Sequence, residues 1–256
     1  MKWNQIIVIK VKCLCLTLVL SASNAFACDK TLIFGISYES WEPYYSIKGE
    51  QHTGSEIDFL KLVLADANIC YKTVRVPSSE RALLELKKGN IDLLLSASNN
   101  ESRAGHAHFS EPYRTEYIRI FWHKSAPSKL KNATLNEILE FGFHGAVNLG
   151  SYFGPINQPL IEKSLSIRRV ATLRQRIDLV SHHRVDFAIE DEAAGLQYIH
   201  CHNIENIELH PYIVHSDQVS FMFSKKSVPY SIVEKINASI KNNRDSYPDI
   251  LAKYLK

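Results

Sequence analysis

Apolar residues recur along the chain with two different periods. Leu32–Ile36 is a short apolar run suited to a buried strand. After a loop rich in Trp, Pro and Tyr, the apolar positions Ile57, Leu60, Val63 and Leu64 recur at helical spacing and predict a helix near Glu56–Ala67. Thr73–Val76 reads as a second strand and Glu80–Lys88 as a second helix, stopped by Gly89-Asn90, before a third strand at Ile91–Leu95. This βαβαβ order predicts a parallel, doubly wound sheet with right-handed crossovers.

A second α/β series follows. Strands are expected at Gly142–Leu149, Ile167–Val170 and Val185–Ile189, with helices at Ser151–Lys163 (despite Pro155 and Pro159), Leu173–Ser181 and Glu192–Tyr198. A strand at Gln218–Phe223 and helices at Ser231–Lys241 and Asp249–Leu255 complete the pattern. No long linker, repeat or low-complexity run separates the series, so the expected fold class is α/β with two lobes around a cleft. The first lobe would hold residues 28–119 plus 219–256 and the second residues 120–218. The chain would cross near Arg119–His123 and return near Val214–Val219.

Composition changes this picture mainly at the N-terminus. Residues 1–27 carry Lys2, Lys10 and Lys12, an apolar core from Cys13 to Leu20, and small residues at Ala25 and Ala27, the pattern of a signal peptide cleaved before Cys28. The rival is a lipoprotein with Cys28 acylated, against which Phe26 and Ala25 both speak. With that segment goes the excess of 30 basic over 27 acidic residues, leaving no charge argument for nucleic acid or an anionic membrane surface. Cys28, Cys70 and Cys201 remain. If the segments after Cys28 and Cys70 are adjacent parallel strands, both sulfurs lie at one sheet edge, so a Cys28–Cys70 disulfide is expected and Cys201 is left unpaired.

The third strand opens abruptly into Ser96-Ala97-Ser98-Asn99-Asn100, with Arg103 close behind. Ligands of open α/β sheets bind beyond the carboxyl ends of strands, where small residues let N–H groups and hydroxyls hold an anion. A guanidinium adds a planar fork suited to carboxylate. A solvated loop with a surface arginine is the alternative on spacing alone.

Several segments, in order, settle on a known pattern. They are Pro43-Tyr44, the Gly54-to-Asp58 GxxxD opening a helix, GNIDLLL from Gly89 to Leu95, an arginine six residues before FSEPY, and RVDFAIEDEAAG from Arg184 to Gly195. Over nearly all of residues 28–256 the chain resembles the periplasmic solute-binding proteins of family 3, the polar amino-acid-binding type used by ABC importers. The resemblance implies a type II periplasmic-binding-protein fold, each lobe a doubly wound sheet flanked by helices. It also implies that Arg103, Ser96 and Ser98 hold an α-carboxylate, that Trp41 stacks on the ligand, and that Asp191 holds the ammonium. Gly150, Ser151 and Tyr152 would add donors at a helix N-terminus. Asp191 also fits a simple cap for the helix beginning at Glu192. The chain departs from the family pattern in having Asn100 where a Thr is usual, a loop shorter by one residue, and Ser79 where related chains often carry an aromatic.

Other chemistry is weaker. His106-x-His108 and His200-Cys201-His202 lack further ligands at metal-binding spacing, and no nucleophile-elbow, zincin, P-loop or dinucleotide motif occurs. Of Glu190, Asp191 and Glu192, strand and helix geometry is expected to send one inward and leave the others solvated. The resulting expectation is a non-catalytic, monomeric, periplasmic substrate-binding protein of an ABC importer. It would use no cofactor or metal, bind a small amino-acid-like solute between its lobes and dock on a membrane permease. The alternatives are a dehydratase-type enzyme on the same scaffold and a binding protein that presents its ligand to a sensory receptor.

Overall fold

The computed structural model describes residues 28–49 and 51–255. The signal peptide expected over residues 1–27 lies outside them. β1 (Lys30–Ser37) is followed by a hairpin of β2 (Ser46–Lys48) and β3 (Gln51–Thr53), then α1 (Ser55–Asp66), β4 (Ile69–Val76), α2 (Ser79–Lys88) and β5 (Leu93–Ser98). A one-turn α3 (Glu101–Ala104) and β6 (Ala107–Phe109) lead into β7 (Arg114–His123). The next elements are α4 (Leu135–Glu140), β8 (Gly145–Asn148), α5 (Gly154–Lys163), β9 (Ile167–Val170), α6 (Leu173–Ser181), β10 (Phe187–Asp191) and α7 (Glu192–Cys201). The chain closes with β11 (Ile207–Ser224), α8 (Tyr230–Asn243) and α9 (Tyr247–Ala252).

The strands join in the order β4-β1-β5-β11-β7-β10-β8-β9, with β6 on β11. At one end β4, β1 and β5 run parallel, and at the other β10, β8 and β9 do the same. The antiparallel pair β7 and β11 joins the two ends, running from Val219 opposite Arg114 to Ile207 opposite His123. The segments read from sequence as mere crossings are thus the long central strands of the molecule, and β11 extends over 18 residues. Register shifts near Ile213 interrupt their ladder, and polar residues there break the apolar alternation that would have marked a strand.

Strand alternation sorts side chains onto two buried faces in each half. Leu32, Phe34 and Ile36 of β1 pack with α1, α8 and Tyr247, while Ile33, Leu94 and Met222 face Ala82 and Leu86 of α2. In the second half Ile118, Ile120 and Trp122 pack with Leu135, Ile138 and Ile161, and Phe121 lies on the opposite face with Ile177 and Ala194. Helices therefore cover both faces, as the alternating pattern predicts.

β1 and β4 pair in parallel from Lys30 opposite Ile69, and a Cys28–Cys70 disulfide with Cα atoms 5.6 Å apart ties their starts together. Cys201 is free. β4 begins at Ile69 rather than Thr73, because an edge strand buries little and its polar residues hid its first turns of pleat. α5 begins at Gly154, three residues later than expected: Gly150 and Gly154 both take positive φ, and Pro155 sits in the first turn. Residues 150–152 are consequently a loop ahead of the helix and not its N-terminus. Among the described residues no helix is long and apolar enough to cross a membrane.

Candidate functional site

The hairpin and the GxxxD segment build one wall. Gly54 has φ 125°, and a Cβ there would collide with the Tyr44 carbonyl, so only glycine lets the Pro43–Tyr45 loop lie against the start of α1. Ser55 and Glu56 then donate their N–H groups to the carbonyls of Pro43 and Tyr44. This fixes the Tyr44 ring 4.0 Å beneath the guanidinium carbon of Arg114 and sends its hydroxyl to Asp191, 2.9 and 3.1 Å from the two carboxylate oxygens. Trp41 packs against Tyr44 with ring centroids 4.5 Å apart and the ring planes tilted by 45°.

Beyond the end of β5, Arg103 is placed by α3, whose N-cap is Asn100: the Asn100 side chain accepts the Arg103 N–H at 3.1 Å. Asparagine caps as well as the threonine of the family pattern. The Arg103 guanidinium turns inward, donating to the Ser98 carbonyl at 3.1 Å and to the Gly150 carbonyl, from the other half, at 2.9 Å. Burial and its loss of hydration lower its pKa below the usual guanidinium value, with Glu116 acting in the opposite sense.

Asp191 caps α7, accepting the Ala194 N–H at 2.8 Å, while also receiving the Tyr44 hydroxyl from the first half. Burial raises its pKa to about 6, opposed by Arg114, whose Nη1 lies 3.9 Å away. Asp191 thus caps the helix, as one of the two sequence readings had it, and also lines the space between the halves. Glu190 is also inside, 6% exposed against 1% for Asp191, where one inward acid was expected. The reason is Arg176 of α6, which donates from Nε at 2.9 Å and from Nη2, compensating the second buried charge. Glu192 alone stays partly exposed, paired with Arg119 at 2.5 Å.

A cavity of about 190 Å³ lies between the halves. Trp41, Ser96, Ser98, Arg103, Gly150, Ser151, Tyr152 and Asp191 all line it, so the sequence-derived set converges on one place. Not all of them are free there. Ser96, at φ 50°, donates its N–H to the Tyr113 hydroxyl oxygen and its own hydroxyl to Glu56, so both its donors are satisfied within the protein. Ser79 leaves its wall without an aromatic ring and sits 3.4 Å from Asn148 Nδ2 across the gap. A larger groove, about 1200 Å³ and mainly apolar, runs between α7 and α9, but of these residues only Asp191 reaches it.

Sequence reasoning missed the charges behind the cavity. Arg114 donates from Nε to the fully buried Glu56 at 2.7 Å and from Nη2 to Ser96 at 3.2 Å, and holds Glu116 3.7 Å away. The signal was present in β7: Arg114, Glu116 and Ile118 alternate onto one face, two of them ionisable where an apolar residue is the rule.

The fold is that of periplasmic binding proteins. The chain superimposes on a histidine kinase sensor domain with similarity to those proteins (TM-score 0.75, 18% identity, 88% of this chain and 96% of the other). It also superimposes on the arginine-, lysine-, histidine-binding protein ArtJ from Geobacillus stearothermophilus (TM-score 0.74, 19% identity, 88% and 94%). In sequence it is 25% identical over 88 residues to the virulence sensor protein BvgS of Bordetella pertussis, a match spanning 34% of this chain and 7% of that relative. The family model of the bacterial extracellular solute-binding proteins, family 3, matches residues 32–256.

Proposed function

Because this chain belongs to the bacterial extracellular solute-binding proteins, family 3, we propose that it is the exported, substrate-capturing component of an ABC importer and binds a small amino-acid-like solute in the cavity between its halves. Residues 28–119 with 219–256 form one moving body and residues 120–218 the other, bending along β7 and β11. Arg103 receives the carboxylate of the solute, Trp41 supplies an aromatic wall and Asp191 faces its ammonium, with Ser98, Ser151 and Tyr152 as further polar contacts.

The observation that carries this reading is the convergence of those side chains, from both halves, on one cavity of about 190 Å³. That is well below the ~300–1,000 Å³ of pockets for drug-sized ligands, and a small solute suits it. A zwitterion bound there touches both halves, so closure gains affinity that the open form lacks. The protein acts by binding and release, handing the solute to a membrane permease. Titration calorimetry of the mature protein with L-arginine, L-lysine, L-glutamine and L-glutamate tests it, supported by thermal shift. One-to-one binding of an amino acid is expected; indifference to all four probes rejects the reading.

The match to BvgS and the likeness to a kinase sensor domain favour a second reading, in which the same pocket reports solute to a receptor. Deleting the gene separates the two. Loss of labelled-solute uptake supports import, whereas unchanged uptake with an altered transcriptional response supports sensing.

A further inference from the structure

We propose that Glu116 is a binding residue of the cleft, its carboxylate receiving a cationic group that the solute carries in addition to its α-ammonium, as a diamino or guanidino acid does. This rests on the cleft reading above and narrows the class of solute. Glu116 lines the cavity and is 8% exposed, yet among the described residues its carboxylate makes no hydrogen bond. Its nearest cation, Arg114 Nη2, stays 3.7 Å away, because that guanidinium makes its short contacts with Glu56 and Ser96. A buried carboxylate without a donor is costly, and a ligand donor relieves that cost.

The acids around it are otherwise engaged. Glu56 is held by Arg114 and Ser96, Glu190 by Arg176, and Asp191 by Tyr44 and the Ala194 N–H. Across the ladder, Asp217 lies opposite Glu116 but faces His215 Nε2 at 3.7 Å. Arg103, Arg114 and Arg176 therefore stand against Glu56, Glu116, Glu190 and Asp191, three guanidiniums to four carboxylates. A net-neutral zwitterion leaves that deficit in place, whereas a solute of net charge +1 removes it. In the empty cleft a proton fills the gap: burial, reinforced by Asp191, Glu56 and Glu190 against Arg114, raises the Glu116 pKa to about 8. An entering cation displaces that proton to solvent.

Affinities of L-arginine and L-lysine are compared with that of L-glutamine for the mature protein at pH 7.5, by calorimetry in phosphate and in Tris. The cationic probes are expected to bind roughly ten- to hundredfold more tightly, as for a charge-assisted hydrogen bond. They should release a substantial fraction of a proton, read from the dependence of the enthalpy on buffer. Glu116→Gln should collapse both the preference and the release. Glutamine binding as tightly as arginine, or a Glu116→Gln protein that discriminates as wild type does, overturns the assignment while leaving the cleft reading intact; failure of every probe overturns both. If Glu116→Gln does not fold, proton release by the wild type decides, and its absence counts against Glu116.

Discussion

Arg103 and Asp191 each bridge the halves, but with different consequences for mutation. Arg103→Ala removes two charge-assisted hydrogen bonds to carbonyl groups, about 1.5–3 kcal/mol each, but also the cost of burying the guanidinium, and the melting temperature should fall by several degrees. Solute affinity should fall at least a hundredfold, since the proposed carboxylate partner is gone; calorimetry that finds affinity unaltered removes Arg103 from the site. At Asp191 the side chain chosen matters. Asparagine still accepts the Ala194 N–H as an N-cap, whereas alanine loses the cap, about 1 kcal/mol, together with the Tyr44 bond. Thermal melts should therefore rank Asp191→Asn above Asp191→Ala, while both weaken solute binding. Equal melts would remove the cap from the account. The sequence could place each of these residues at the cleft because strand ends and an arginine before a fixed motif are local patterns. It could not show Arg114 meeting Glu56, 58 residues away, or Arg176 meeting Glu190, 14 residues away, because neither separation is a local pattern.

Elements that carry their own periodicity were legible; those defined by their partners were not. α1, α2, α6 and α7 fall where apolar spacing and caps predict them, whereas β7 and β11 look like polar connections until they are seen paired. The hairpin β2–β3 is three residues a side and offers too little alternation to read. Turns with positive φ are the third kind, and Gly150 shows how one couples element to function. With φ 84°, its added Cβ would lie 2.8 Å from Glu80 N at the start of α2, an atom of the opposite half. Gly150→Ala therefore adds a clash that exists only when the halves meet, besides a left-handed strain of roughly 1–2 kcal/mol present throughout. Solute affinity should drop about tenfold or more, and the scattering radius of the liganded protein should rise toward the open value. Unchanged affinity would mean that the 150–152 loop moves independently of closure.

At the scale of the whole molecule, the balance of buried charge makes stability depend on pH with a sign that can be worked out. Asp29, Glu85 and Glu137 have lowered pKa values, through Lys235, Asn90 and Thr134 respectively, and contribute stability that is lost as pH falls through the acid range. Burial depresses His52, His106, His108, His123 and His210, so the unfolded chain binds more protons and stability grows as pH rises toward about 6.5. Asp191 and Glu116 act oppositely, since at raised values of about 6 and about 8 the folded protein holds protons that the unfolded chain has released. Above pH 6.5 the histidines no longer contribute, and the ionisation of Glu116 governs. The solute-free melting temperature should thus peak near pH 6.5 and decline from there to about pH 8, where the Glu116 contribution levels off. Glu116→Gln, which cannot ionise, should remove the fall that Glu116 contributes from its unfolded value of 4.5 up to about 8, so that the variant gains on the wild type as pH rises through that range and flattens above pH 6.5. A wild-type profile that keeps rising to pH 8.5, or a variant that declines in parallel with it, would mean that Glu116 is already ionised and compensated in the empty cleft, and the buried charges would then balance without a cationic solute.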